Sequence, residues 1–376
     1  MRAAGFIPAA PGHTGVTGCS FFRDGETNGM GTGKRPPDFQ QFLKALGRDG
    51  RPDYLPFYEH VAADGFIAAG LGITLAQLTA DPIRYWEYYV RFWRDMGFDC
   101  VPMEIPLHCP LAGNHSFFGG HSESSEAQVV IRGREDYEKY PWPDERAPLD
   151  FRPFEIVAGL LPPGMKIVGG VCAGPYEWAA LMLGSVGMAY LLADDPELVG
   201  WVFERLGRLH VSAVRQLAGM AACGAIRQGD DLGFKTSTFL SPAQLRQYLF
   251  PIYTRMAAAA HQAGKPFIFH SCGNLAAVYD DLIDVCRIDG KHSFEENIMP
   301  VAEFKKRYGR RVTPVGGLDV DRVCRLPEPA LRAYVRQTME VCFADGHWLL
   351  GTGNSLPDYM PVSQYRIVLD EGRRGG

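Results

Sequence analysis

The sequence predicts a closed parallel (β/α)8 TIM barrel forming one domain, with an N-terminal arm and an inserted loop after the second strand. Three observations predict it. After the first 50 residues, short apolar runs ending in a polar group recur eight times, and helical patterns separate them. Parallel strands joined through helices bury both faces of a sheet, and closure of that sheet removes its edges. A single barrel also suits a chain of 376 residues, because such units run to about 250 residues and beyond.

Residues 1–36, rich in Gly, Thr and Pro without a sustained period, are read as an arm outside the core, and 37–376 as the barrel. In the arm, GMGTGK (Gly29 to Lys34) fails as a phosphate loop, because Asn28 replaces the first glycine and Arg35 the final Ser or Thr. The first strand is LPFYEH (Leu55 to His60). An amphipathic helix entered at Pro82 leads to the second, CVPMEIP (Cys100 to Pro106). The next interval, Leu107 to Met165, is too long for one helix and carries HCPLAGNHSFFGGHSESSE, so it is read as an insertion near the barrel mouth.

KIVGGVCAGP (Lys166 to Pro175) is the third strand, and a long helical stretch from Pro196 leads to the fourth, AIRQGDD (Ala225 to Asp231). A helix capped by Ser241, with Pro242 in its first turn and Gly264 as its stop, precedes the fifth, PFIFHSC (Pro266 to Cys272). The last three are RIDGKHSFE (Arg287 to Glu295), RVTPVGGLD (Arg311 to Asp319) and HWLLGTGN (His347 to Asn354), with a closing helix after Pro361.

Composition narrows the function. Thirty-eight Lys+Arg against 43 Asp+Glu give a net charge of -5, which argues against a nucleic-acid binder. No apolar run approaches the roughly 20 residues of a membrane span, and the N-terminus lacks a signal-peptide pattern. Nine scattered cysteines fit reduced thiols rather than a disulfide framework, so a cytoplasmic location is expected.

Chemistry in such barrels sits at the carboxyl ends of the strands. There the sequence places Glu59, His60, Glu104, Cys172 with Tyr176 and Glu177, Asp230 and Asp231, then His270, Cys272, His292, Glu295, Asp319, Thr352 and Asn354. His270 and Cys272, two apart at a strand end and followed by Gly273, suit Zn²⁺; alternatively, Cys272 packs as a small hydrophobe and His270 makes an ordinary hydrogen bond. Adjacent side chains on a strand point oppositely, so one of Asp230 and Asp231 is expected to enter the site, as base, metal ligand or acceptor. Glu104, between apolar neighbours, needs a partner if buried. Lys291 and Glu296 are read as surface charges. Asp345-Gly-His347 comes near a D-x-H-x-x-G cobalt loop but misses its spacing, and HExxH, CxxC and G-x-S-x-G are absent.

Several stretches together resemble the uroporphyrinogen decarboxylase superfamily, which also contains corrinoid-dependent methyltransferases. They are FLKALGRDGRPDYLPFYEH, GPYEWAALMLG with DDPELV, DDLGFKTSTFLSPAQLRQYLFPIYTRM, HQAGKPFIFHSCGN, GGLDVDRVCRLPEPAL and GTGNSLPDYMPVSQYRIVLDEGRR. The P-x-W-x-M-R-Q-A-G-R motif of true decarboxylases is absent before Phe42, and their late G-H-G reads Gly351-Thr352-Gly353. The methyltransferase branch is the nearer resemblance: His270 and Cys272 match the first two positions of its His-x-Cys…Cys zinc motif, while Asn354 stands where the late cysteine is expected. The resemblance implies zinc on His270 and Cys272, with Asp231, Glu104 or His292 as a replacement ligand. Asp231 or Glu104 would otherwise manage the proton, and Tyr176, His292 and Asn354 would line the substrate pocket. The implied reaction moves a methyl group between a small molecule and a separate corrinoid protein or a thiol. The implied assembly is a homodimer. A metal-free decarboxylase and a non-catalytic binding barrel are the alternatives.

Overall fold

The computed structural model describes residues 35–47, 50–112 and 125–375. All of the predicted arm but Arg35 and Pro36, the GMGTGK stretch and the middle of the predicted insertion lie outside them. Six strands pair in parallel and in chain order: β1 (Cys100–Pro106), β2 (Lys166–Cys172), β3 (Cys223–Gly229), β4 (Phe267–His270), β5 (Gly290–His292) and β6 (Thr313–Pro314). The first and last expected strands are present as extended segments held by parallel bridges, Val315 to Leu349, Leu318 to Thr352 and Phe57 to Leu350. Glycine allows their close approach: a Cβ on Gly351 would lie 1.8 Å from the Tyr58 carbonyl oxygen.

Inward-facing side chains form a ring. Tyr58, Cys100, Val168, Ala225, Ile268, Val315 and Leu349 make one buried cluster with Phe39, Phe42, Ala45 and Leu46. Those last four come from the helix Phe39–Gly47, whose apolar face plugs the end of the barrel where the strands begin. β5 enters the same layer at Gly290, where a Cβ would meet Leu46 at 2.8 Å and Val315 at 2.9 Å. Asp99 fastens the plug by accepting hydrogen bonds from Arg35 Nη1 at 2.7 Å and the Asp38 amide at 2.9 Å. With that end sealed, the opposite end, where the strands finish, is the open one.

The outer helices follow their sequence signals. Asp81 caps Pro82–Met96 and Gly97 ends it in the left-handed region, at φ 86°. Asp195 caps the 24-residue helix Pro196–Gly219, and Ser241 with Gln244 forms a capping box ahead of the helix Phe250–Gln262. The closing helix is Val362–Gly375. The interval after β1 is more than a loop: it contains the helices Arg134–Lys139 and Arg152–Leu160, the second burying Phe154 and Val157 one turn apart. No single described helix is long and apolar enough to cross a membrane. No disulfide is formed among the described cysteines.

Glu59, expected at the mouth, instead joins the first segment to the last. It is buried, and its carboxyl accepts from the Thr352 amide at 2.8 Å, Thr352 Oγ1 at 2.6 Å and the Tyr365 hydroxyl at 2.8 Å. Neighbouring His60 takes the inward direction, as strand alternation requires. Burial raises the Glu59 pKa from an ordinary 4.5 to about 8, against the opposing pull of these bonds. The unfolded chain therefore loses this proton first, and stability falls as pH rises between the two values, by up to about 1.4 kcal/mol per pH unit. Glu59→Gln, which copies the protonated form, is expected to flatten that dependence between pH 5 and pH 8 in urea titrations, whereas Glu59→Leu destabilises at every pH.

Candidate metal centre at the barrel mouth

The end of β4 delivers the sharpest constellation. His270 is its last residue, Ser271 turns the chain, and Cys272 comes back over the opening. Gly273 completes the turn at φ 85°, where a Cβ would lie 2.1 Å from the Gly233 carbonyl carbon. His270 Nε2 stands 3.6 Å from Cys272 Sγ and 3.7 Å from Asp231 Oδ1. The three ligand atoms all lie within 4.8 Å of one another. The Cys272 amide donates to Asp231 Oδ1 at 2.9 Å, so the carboxylate is anchored beside the thiol.

Strand alternation separates the aspartate pair. Asp231 enters the mouth, while Asp230 is buried beneath the helix Pro175–Leu183 and accepts from the Tyr176 amide at 2.9 Å, the Glu177 amide at 3.0 Å and the Tyr253 hydroxyl at 2.5 Å. Asn354 Nδ2 donates to Cys272 Sγ at 3.5 Å, which puts the residue standing for the late cysteine in contact with the first. Tyr176 borders the mouth with its ring stacked on Phe239 at 5.7 Å.

His292, expected to meet substrate, is fully buried one layer below the opening. Its Nε2 is 3.2 Å from the Thr352 carbonyl, which can only accept, so Nε2 carries the proton. Its Nδ1 is then an acceptor, and His270 Nδ1, 2.7 Å away, donates to it. His270 Nε2 is left with its lone pair aimed at Cys272 and Asp231, the tautomer a metal ligand requires. Both rings are held neutral: burial, and after it Lys291, drives His292 down to about 3, and burial, then His292, takes His270 well below its usual range.

Below lies a buried charge. Arg227 has no exposed surface; its Nη2 is 3.1 Å from Glu104 Oε1, and its Nη1 is 2.5 Å from His60 Nδ1. Gly170 makes room, since a Cβ there would come within 2.8 Å of Arg227 Cγ. His60 stacks on His270, with ring centroids 3.9 Å apart. His60, His270 and His292 form a second group of converging donor atoms, but the guanidinium against His60 repels a cation there, and His292 Nδ1 is already committed. Glu104 is the partner of Arg227 rather than a member of the mouth triad. Of the three expected replacement ligands, Asp231 alone joins both His270 and Cys272.

Other expectations are redirected. Lys291, read as a surface charge, is buried, and its ammonium donates to the Ser271 carbonyl at 3.1 Å and to the Ser293 carbonyl; burial brings its pKa down to about 8. Asp319 caps the helix Val320–Arg325. Asp345 pairs with Lys305 at 2.7 Å, and His347 Nδ1 lies 3.3 Å from the Ala45 carbonyl, at the plugged end. Arg227 was missed. The signal was available: a charged residue two positions after inward-facing Ala225, inside an apolar run, points into the barrel.

The fold and site define a (β/α)8 barrel with a metal-capable mouth. The chain belongs to the uroporphyrinogen decarboxylase (URO-D) family, whose model matches residues 51–374. A relative, the uroporphyrinogen decarboxylase of Anaeromyxobacter sp. (strain Fw109-5), is 25% identical over 339 residues, covering 84% of this chain and 90% of that protein. The solved structure of a methyltransferase from Methanosarcina mazei has the same fold, with a TM-score of 0.66 at 17% identity, covering 89% of this chain and 97% of that one.

In zinc-free protein labelled at histidine, ¹⁵N spectra are expected to find the protons on His270 Nδ1 and His292 Nε2, and His292→Leu should release His270 to a mixture of tautomers. Arg227→Leu strands Glu104 in the interior and should cost about 3–5 kcal/mol in denaturant titrations. Adding Glu104→Leu to it should recover most of that loss.

Proposed function

We propose that this protein is a zinc-dependent methyltransferase component, moving a methyl group between a small molecule and a separate corrinoid protein or a thiol. The observation that carries the reading is the convergence of His270 Nε2, Cys272 Sγ and an Asp231 carboxylate oxygen at the open end of the barrel. The donor set fits zinc: one imidazole with its lone pair free, one sulfur and one carboxylate, with supporting bonds to each. Burial, and then Asp231, pushes the Cys272 thiol up to about 12, so without a cation this sulfur keeps its proton. When bound, zinc would supply Lewis acidity, lowering the pKa of a thiol or polarising an ether or amine.

The remaining work falls to the chain. His292 orients His270, and Asp231 completes the donor set in place of a second thiolate. Asn354 steadies the Cys272 sulfur. Glu104, the counter-charge of Arg227 at 3.1 Å, holds that buried cation in place beneath the mouth. Tyr176 bounds the substrate side. A metal-free decarboxylase is the second reading, favoured by the likeness to the 25% identical uroporphyrinogen decarboxylase.

Protein purified without chelator or metal-affinity tag is expected to carry about one zinc per chain by plasma mass spectrometry. His270→Ala and Cys272→Ala should abolish that binding, and Asp231→Asn should weaken it about 10- to 100-fold. Methyl transfer from added methylcobalamin should fail in the same variants. Absence of zinc even after it is supplied, with full activity in both alanine variants, would sink the assignment.

A further inference from the structure

Beside the triad runs a groove of about 740 Å³, inside the range of roughly 300–1,000 Å³ that holds small organic ligands. Leu181, Met188 and Leu192 supply its apolar walls and Tyr176 and Phe239 its aromatic faces, while Asp231, which it shares with the triad, and Glu177 are its carboxyls. Among its described lining residues there is no lysine or arginine.

The amides around the mouth are also spoken for. Backbone N–H groups at a helix start or tight turn ordinarily attract carboxylates and phosphates. Here Tyr176 and Glu177 amides donate to Asp230, the Gly174 amide to Glu177, the Cys272 amide to Asp231 and the Gly273 amide to Glu295. The protein's own carboxylates have filled those positions. The two buried cations beneath the mouth are no substitute: Arg227 is sealed against Glu104 and His60, and the Lys291 ammonium is turned onto the Ser271 and Ser293 carbonyls. A carboxylate entering this groove would lose water and meet no lysine or arginine among its described lining residues.

We propose that the groove binds an uncharged small molecule with an aromatic or similarly apolar body, its lone-pair heteroatom directed at the Asp231 end, and that it excludes polycarboxylates. The apolar body lies along Leu181, Met188 and Leu192 and against the faces of Tyr176 and Phe239. A neutral sulfur or oxygen is also the kind of atom a Lewis acid at the triad can engage, which a quaternary ammonium cannot be, so the acidic rim does not by itself select a cation. This assignment deepens the methyltransferase reading at the same site, but the binding preference can be measured without any chemistry.

Three matched probes separate the possibilities: methyl phenyl sulfide, 4-(methylthio)benzoate and trimethylphenylammonium, titrated by calorimetry and saturation-transfer NMR into zinc-free and zinc-loaded full-length protein. The sulfide is expected to bind at least tenfold tighter than the benzoate in both forms. Leu192→Lys, which places an ammonium on a half-buried wall whose stem can stay packed, should narrow or reverse that ratio. Benzoate binding as tight as sulfide binding in the unaltered protein would overturn the proposal. So would tightest binding of the ammonium probe, or no binding of any probe. Failure of zinc to bind while the sulfide preference holds would remove the methyltransferase reading and leave this one standing.

Discussion

A guanidinium without solvent stands at the centre of this barrel, and the interior is arranged around that fact. Taking Arg227 out of water is tolerable only with an opposite charge at contact distance, and Glu104, reached from β1, provides it at 3.1 Å. The pair demands space, which β2 supplies by having a glycine at position 170. Burial, and after it the same guanidinium lying against His60, keeps that ring neutral, so three imidazoles can share a small volume without mutual repulsion. The polar interior follows from one buried charge and the groups that must answer it.

Above this layer the balance changes. The histidine relay ends in a lone pair facing the opening, where a thiol, a carboxylate and an amide meet in a partly exposed setting. Sealing below and access above are both consequences of barrel geometry: successive inward layers along a strand lie at different depths, so residues two apart in sequence, such as His270 and Cys272, serve different layers. Carboxylates then occupy the amides of the rim, so those donors are no longer open to an incoming anion.

Much of this was legible. Helix starts at Pro82, Pro196 and Ser241, the stops at Gly97 and Gly264, and the strand runs from Cys100 to Cys272 carry local signals that act within a few residues. His270 and Cys272 were legible as a pair for the same reason. The helix plug was not, because its apolar face, Phe39, Phe42 and Leu46, reads the same whether it covers a sheet or closes a barrel end. Lys291 was misread because a lysine amid polar neighbours normally finds water, and only packing against the Ser271 and Ser293 carbonyls denies it.

The amino-acid order by itself determined the barrel class, the direction of the strands and the choice of end for the chemistry, because alternation, caps and glycine stops are short-range physical constraints. Tertiary structure alone decided which of two adjacent aspartates faces the triad, which nitrogen of His270 is free, and that Glu59 locks the closure rather than lining the mouth. Those outcomes depend on partners 22 to 306 residues away in the chain, brought into contact only when the sheet curls, and no local pattern carries the distances that settle them.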